Sequence, residues 1–245
     1  MIVKVAGIAY DASKGNGISI LNRLIDAGFR AECIAIGESF KHLPTKAPTQ
    51  IQLYRGPRGL DGGTIERYRS SAEEDRSDFT AAFDGADIIF LTGDLGDPVG
   101  AGATPVVAEC AKSVGALTIA VVTRPFRFEG ERRQKNFDRA LEELKATVDL
   151  IAIFSKEYLF RVVDPKMPMT RVFDIVDDVV CWIVGSALKI FEPTAIGDRL
   201  IDSSVLKIFD GATIRLPPTP VEPPPTPALS SKSKLVDIPS WMRRR

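Results

Sequence analysis

Histidine is almost missing from this sequence, and His42, the single one, has no evident partner. That excludes a histidine-built metal centre and leaves any acid–base chemistry to other side chains. Cysteine is nearly as scarce: Cys33, Cys110 and Cys181 lie far apart in apolar surroundings. Without paired short spacings there is no disulfide framework or zinc motif, so all three are expected as buried thiols. Neither sign of charge is in excess, with 32 Lys+Arg against 32 Asp+Glu. No global field therefore draws the molecule to nucleic acid, and nucleic acid is not expected as a partner. No apolar run reaches the roughly 18 uninterrupted residues of a membrane span. The opening MIVKVAGIAY carries Lys4 inside its apolar run and lacks a small-residue cleavage site. It reads as a first strand and not a leader, and a cytoplasmic protein is expected.

Apolar β-type runs alternate with helical patterns, which predicts an α/β fold with a parallel sheet flanked by helices. Strands are expected at Ile2–Ile8, Glu32–Ile36, Ile51–Leu53, Asp87–Thr92, Leu117–Thr123 and Leu150–Phe154. Helices are expected at Ile18–Ala27, Thr64–Asp84, Pro105–Val114 and Arg132–Ala146. Met169–Phe191 carries an apolar stripe interrupted only by Gly185, predicting one long helix. The chain divides into a main domain at 1–192, a short helix or strand segment at 193–216, a linker at 217–234 and a terminal peptide at 235–245. The linker PPTPVEPPPTPALSSKS can form neither a ladder nor a helix and is expected to be extended.

Glycine-rich strand-to-helix junctions are where α/β proteins hold phosphates, because backbone N–H groups and a helix dipole converge there. Two such junctions occur. The first is GIAYDASKGNGI (Gly7–Ile18), with Gly15, Asn16 and Gly17 opening a helix. The second is TGDLGDPVGAGA (Thr92–Ala103), where Asp94 and Asp97 place negative charge beside the glycines. Repulsion between like charges about 4 Å apart costs about 1–4 kcal/mol in a wet site, so a phosphate there would need magnesium as an offset.

The stretch Leu91–Arg133 resembles the signature region of the FtsZ/tubulin family, in which a GGGTGTG loop precedes AAPVVAE, ALTVAVVTRPF and FEG. Here TPVVAE (Thr104–Glu109), ALTIAVVTRPF (Ala116–Phe126) and FEG (Phe128–Gly130) stand in the same order. The resemblance runs from the first strand to about Phe191 and returns at the tail. It implies the family's nucleotide-binding, Rossmann-like domain ending in a long central helix, with GTP or GDP as ligand and magnesium as its companion. Carried over residue by residue, it points to Gly15 and Asn16 on the first loop and to Gly96, Gly100 and Gly102 on the signature loop. It assigns Glu129 and Arg133 to the ribose side, Phe173 to stacking on the base and Asp177 to the base edge. The departures fall on the phosphate side. Asp97, Pro98, Val99 and Ala101 replace the remaining glycines and threonines, Lys156 stands where the family has asparagine, GES (Gly37–Ser39) replaces NTD, and RGLDGG (Arg58–Gly63) keeps part of a third loop. Base and sugar contacts are thus better kept than phosphate contacts, which implies weak nucleotide binding or a relic pocket.

In the family, a loop bearing NxDxxD completes the next subunit's pocket. Here IGDRLIDSS offers only Asp198 and Asp202, four apart and without the asparagine, as weak catalytic candidates. The family's C-terminal domain has no counterpart in the sequence. The expectation is an FtsZ-like cell-division or cytoskeletal protein that binds GTP or GDP weakly, does not hydrolyse GTP alone and associates with FtsZ or with itself. Two alternatives are a hydrolysing, polymerising GTPase using Asp97 or Asp198 to hold magnesium, and a regulator that caps FtsZ filaments. An apolar strip around Trp182 and Ile183 is expected to be exposed and to promote pairing. The tail LVDIPSWMRRR resembles the family's terminal peptide, with Asp237, Ile238, Pro239, Trp241, Met242 and Arg243 in order. It implies docking at a division site on membrane-tethering proteins of the FtsA, SepF or ZipA type. Ile238, Trp241 and Met242 would share one apolar face, and Arg243–Arg245 would add a local contact with anionic membrane.

Overall fold

A computed structural model describes residues 1–10, 15–40, 45–53 and 63–191, the last three without their side chains. Its centre is a six-stranded, wholly parallel sheet: β1 (Val3–Ala9), β2 (Glu32–Gly37), β3 (Thr49–Gln52), β4 (Ile88–Asp94), β5 (Leu117–Arg124) and β6 (Leu150–Ser155). The order is β3-β2-β1-β4-β5-β6. The chain therefore lays strands outward from β1 in one direction, then returns beside β1 and proceeds in the other. The crevice beyond the carboxyl ends of β1 and β4 is the topological switch point, where α/β sheets take their ligands. The α/β fold class is as the alternating pattern predicts.

Alternation along each strand feeds two cores. Ala6, Ile8, Ile89, Leu91, Ala120 and Val122 point to one face, which α2 (Ile65–Glu74), α3 (Arg76–Phe83), α4 (Pro98–Ser113) and α5 (Glu131–Thr147) cover. Val5, Ala9, Ile88, Phe90, Ile119 and Val121 point to the other, which α1 (Gly17–Asp26) and α6 (Met169–Phe191) cover. Burial on both faces explains why the strands read as near-continuous apolar runs. Lys4 fits such a run because its Nζ donates to the carbonyls of Ala82 and Asp84, both at 2.9 Å, at the carboxyl end of α3. α1 lies so close to β4 and β1 that a Cβ on Gly17 would stand 2.2 Å from the Thr92 carbonyl oxygen and 2.5 Å from the Ile8 nitrogen.

The structure corrects three expectations. The helix read over Thr64–Asp84 is two, broken at Asp75, whose carbonyl accepts from the amides of both Asp78 and Phe79. The turn there lets α3 bury Phe79 and Phe83. The helix read from Pro105 begins at Pro98 and carries Pro105 in its interior. A proline there removes one hydrogen bond, but burial of Val99, Ala101, Ala103, Val106 and Val107 holds the helix against the sheet. Trp182 and Ile183 are half-buried rather than exposed, with Ile183 packed on the core beneath α6.

Cys33 and Cys110 are buried, Cys181 half-buried, and all three are free thiols. Burial pushes Cys33 and Cys181 up to about 11. Among the described residues no helix is long and apolar enough to cross a membrane, and no group of His, Cys, Asp or Glu is placed to hold a metal ion. His42, Asp198, Asp202, the segment 193–216, the proline-rich linker and the tail at Asp237, Ile238, Pro239, Trp241, Met242 and Arg243 all lie outside the described residues.

Candidate functional site

The switch-point crevice has two ends of different chemistry. One is built where α1 begins. Asn16 is its N-cap, its side-chain oxygen accepting from the amides of Ile18 at 3.0 Å and Ser19 at 3.2 Å. Ser19 answers by accepting from the Asn16 amide, closing a capping box. From the facing α6, Asp177 reaches this same turn. Its Oδ1 accepts from the Gly15 amide at 2.9 Å and from the Ser19 hydroxyl at 2.8 Å. Its Oδ2 is buried without a hydrogen bond, 3.6 Å from Arg23 Nε. Burial pushes the Asp177 carboxyl up to about 6, against the pull of Ser19, Arg23 and the Gly15 amide. Arg23 also pairs with Asp174 at 3.1 Å and with Asp178, so α1 and α6 meet through one guanidinium and three carboxylates.

Phe173, one turn ahead of Asp177, lies against Gly15. A Cβ on Gly15 would stand 2.7 Å from Phe173 Cδ1, and the glycine has φ +83°, a backbone state only glycine adopts freely. The ring also meets Phe126 edge-on, with centroids 5.9 Å apart.

The other end is a buried ion cluster. Lys156, 1% exposed, follows β6 and places its Nζ 2.6 Å from Asp94 Oδ2 and 3.5 Å from Glu129 Oε1. Asp94 closes β4, and its Oδ1 accepts from the Gly96 amide at 2.9 Å. Arg133 of α5 spans the group, 3.3 Å from Asp94, 3.6 Å from Asp97 and 2.9 Å from Glu129. Asp97 is the N-cap of α4 and takes the Val99 amide at 2.9 Å, and Pro98 at the first helical position has no N–H. Burial and the neighbouring Asp94 push Asp97 up, while Arg133 pulls it down.

The structure thus gathers Gly15, Asn16, Phe173 and Asp177 at one end of the crevice, and Gly96, Glu129 and Arg133 at the other. Gly100 and Gly102 lie inside α4, not in a loop. A Cβ on Gly100 would meet the Asp94 carbonyl oxygen at 2.1 Å, and one on Gly102 the Ile65 carbonyl oxygen at 2.5 Å. Of GES, Glu38 is buried and accepts the Tyr68 hydroxyl. Residues 58–62 of RGLDGG lie outside the described residues. Sequence reasoning missed Ser19, Arg23 and Phe126 as members of the site. The Asn16-x-x-Ser19 capping spacing was the available signal for Ser19; nothing in the sequence pairs Arg23 with α6.

The model of the Tubulin/FtsZ family GTPase domain matches residues 16–164. Among solved structures, the empty FtsZ dimer of M. jannaschii is 32% identical with a TM-score of 0.70, covering 84% of this chain and 59% of that one. A point mutant of FtsZ from the same organism is 34% identical with a TM-score of 0.70, covering 78% and 57%. CetZ2 from Haloferax volcanii, in a GTPgS-bound protofilament, is 21% identical with a TM-score of 0.65, covering 84% and 62%, a likeness of fold alone. The chain therefore spans about three fifths of the length of these solved relatives. With the GTPase-domain model matched over more than half of its length and the parallel sheet shared with FtsZ, the chain belongs to the Tubulin/FtsZ family.

Proposed function

We propose that this protein is an FtsZ-like cytoskeletal subunit that joins an assembly of its own family, either further copies of itself or FtsZ, without hydrolysing GTP. Guanine nucleotide binding, as GTP or GDP, is weak. The observation that carries this reading is the start of α4, where the Asp97 carboxylate takes the helix's free Val99 amide and Pro98 offers none. That helix end would otherwise receive a phosphate.

The two ends of the crevice fit a guanine nucleotide unequally. The base end fits: Phe173 presents an aromatic ring, and Asp177 retains one buried oxygen without a hydrogen bond. The phosphate end does not fit, because Asp94 and Asp97 stand there and each like-charge contact at about 4 Å costs about 1–4 kcal/mol in a wet site. Magnesium would offset part of that repulsion. Recruitment to a division site is assigned to the tail, through tethers of the FtsA, SepF or ZipA type, with Arg243–Arg245 adding anionic-membrane contact.

GTP turnover and co-sedimentation with FtsZ, both measured with magnesium, test the reading. The expected result is no turnover above the buffer rate together with co-sedimentation. Turnover at the rate of an FtsZ measured alongside overturns the non-hydrolysing assignment, and failure to pellet either alone or with FtsZ overturns the assembly assignment. Deleting 235–245 should abolish recruitment to a division ring; a truncated chain that still localises removes the tail from the account.

A further inference from the structure

The residues that spoil the crevice for a polyphosphate do a job there. Asp94 ends β4, Glu129 sits in the turn after β5, Lys156 follows β6, and Arg133 lies on α5. These four elements surround one end of the crevice, where the resemblance places the ribose beside Glu129 and Arg133 and the phosphates beyond it, and a bound nucleotide would be the natural bridge between their cations and amides. Here the bridge is already made from within: Lys156 is 2.6 Å from Asp94, and Arg133 reaches both Asp94 and Glu129. The same carboxylates also order the backbone, since Asp94 Oδ1 takes the Gly96 amide and Glu129 Oε1 takes the Phe126 amide at 2.8 Å. Asp94, Lys156 and Glu129 are each less than a tenth exposed, so water screens the cluster poorly.

We propose that the Asp94–Lys156–Glu129–Arg133 cluster is an internal ligand: it holds the rim of the crevice in its ordered form without a nucleotide, and it makes Asp94 and Lys156 the residues that keep binding of phosphate-bearing ligands weak. This deepens the reading of the pocket given above and rests on it. The balance of charge supports the assignment. Two cations face Asp94, Asp97 and Glu129, so neither is spare for an incoming anion, and any such anion must first displace a carboxylate from Lys156.

Hydrogen exchange on the full chain tests this, read at the Gly96 and Phe126 amides with and without inorganic pyrophosphate or GDP, each with magnesium. The expected result is that both amides are protected in the ligand-free protein and that neither additive changes their protection by more than about twofold. A rise of about tenfold or more with either additive shows that an external anion, not the cluster, orders the rim, and overturns the proposal. So does absence of protection in the ligand-free protein. A second arm uses titration calorimetry with pyrophosphate on Asp94→Asn/Asp97→Thr, which leaves Glu129 alone of those three carboxylates facing the two cations. Gain of binding at least tenfold tighter than wild type, lost again on adding Lys156→Met, is expected; a folded variant that binds no better than wild type refutes the exclusion role. Should the variant fail to fold, the exchange arm on the unaltered chain still decides. The outcomes also separate the two claims: failure to pellet alone or with FtsZ, with protection unchanged, removes the assembly reading and leaves the cluster, whereas raised protection without turnover overturns the cluster and leaves the non-hydrolysing reading.

Discussion

Replacing Gly15 by alanine is the sharpest probe of how α1 and α6 meet, and Gly28→Ala is its control. Both glycines have positive φ, +83° and +72°. Alanine in that backbone state costs about 1–2 kcal/mol, offset by about 0.4–1 kcal/mol from the stiffer unfolded chain. At Gly28 nothing lies within 4 Å of the new Cβ, so this balance of about 0–1.5 kcal/mol is the whole effect. At Gly15 the same Cβ would stand 2.7 Å from Phe173 Cδ1. The ring cannot simply move aside, because Phe126 meets it edge-on and Lys156 lies 5.7 Å from its centroid. Overpacking of this kind adds about 1–3 kcal/mol. Urea denaturation should therefore show Gly15→Ala less stable than Gly28→Ala by about 1–3 kcal/mol at unchanged m-value. On heating, that difference amounts to about 2–4 °C per kcal/mol. Adding Phe173→Ala to Gly15→Ala should cost less than the two single changes summed, because the first removes the collision that the second creates. Equal losses at positions 15 and 28, or strict additivity with Phe173→Ala, would refute the packing of Phe173 on the α1 turn.

Three further changes probe the rest of the crevice and its support. Lys156→Met leaves the buried Asp94 and Glu129 carboxylates with Arg133 as their shared cation and should cost up to about 3–5 kcal/mol in urea denaturation, whereas Lys156→Met/Asp94→Leu should recover most of that loss. Asp177 has its folded pKa raised from about 3.8 to about 6, so it stabilises the fold fully below the lower value, and that contribution is lost as pH rises through the upper one. Roughly 3 kcal/mol should disappear between pH 4 and pH 7 in wild type relative to Asp177→Asn, which keeps an acceptor for the Gly15 amide and the Ser19 hydroxyl; parallel stability–pH curves would contradict the assignment. A Cβ on Gly185 would stand 2.3 Å from Phe29 Cζ, so Gly185→Ala should destabilise despite a helix-propensity gain of about 1 kcal/mol, and should turn stabilising in a Phe29→Leu background.

The sheet and α6 were legible because their signals are local. LTIAVVT is a run of β-branched residues that only a buried strand explains, and the apolar stripe of α6 gives the start at Met169 that the structure shows, the helix running on to Phe191, where the described residues end. The start of α4 was not legible for the opposite reason. Glycines at 100 and 102 and a proline at 105 are loop residues by propensity, yet there they let a helix lie against the backbone of β4 and α2. Tertiary contact overrode propensity, and nothing within the window Thr92–Ala103 records that contact. The ion cluster was half visible: Asp94 stood out as charge beside the glycines and Lys156 as a departure, but their pairing spans 62 residues of sequence and only the fold brings them together. The break at Asp75 carried only a faint signal, an aspartate in the N-cap position ahead of Ser77 and Asp78, which the good helix formers Ala72, Glu73 and Glu74 before it obscured.

The glycines kept from the family's signature loop carry less functional weight than their number suggests. Gly96 packs on Pro125, with a Cβ expected 2.8 Å from its Cγ, and Gly100 and Gly102 admit backbone oxygens closer still. Any chain with this sheet and this helix needs them, whether or not it binds phosphate. The informative positions are those that packing leaves free to vary, namely 97 and 98 at the very start of α4, and there the chain has a carboxylate and a residue without an N–H. Packing thus accounts for what is retained, while on the function proposed above ligand chemistry accounts for what is changed, and the same division runs through the crevice. At the base end Asp177 holds Gly15 and Ser19 and still has one oxygen free of hydrogen bonds, whereas at the phosphate end the Asp97 carboxylate takes the amide it reaches and both cations already face carboxylates.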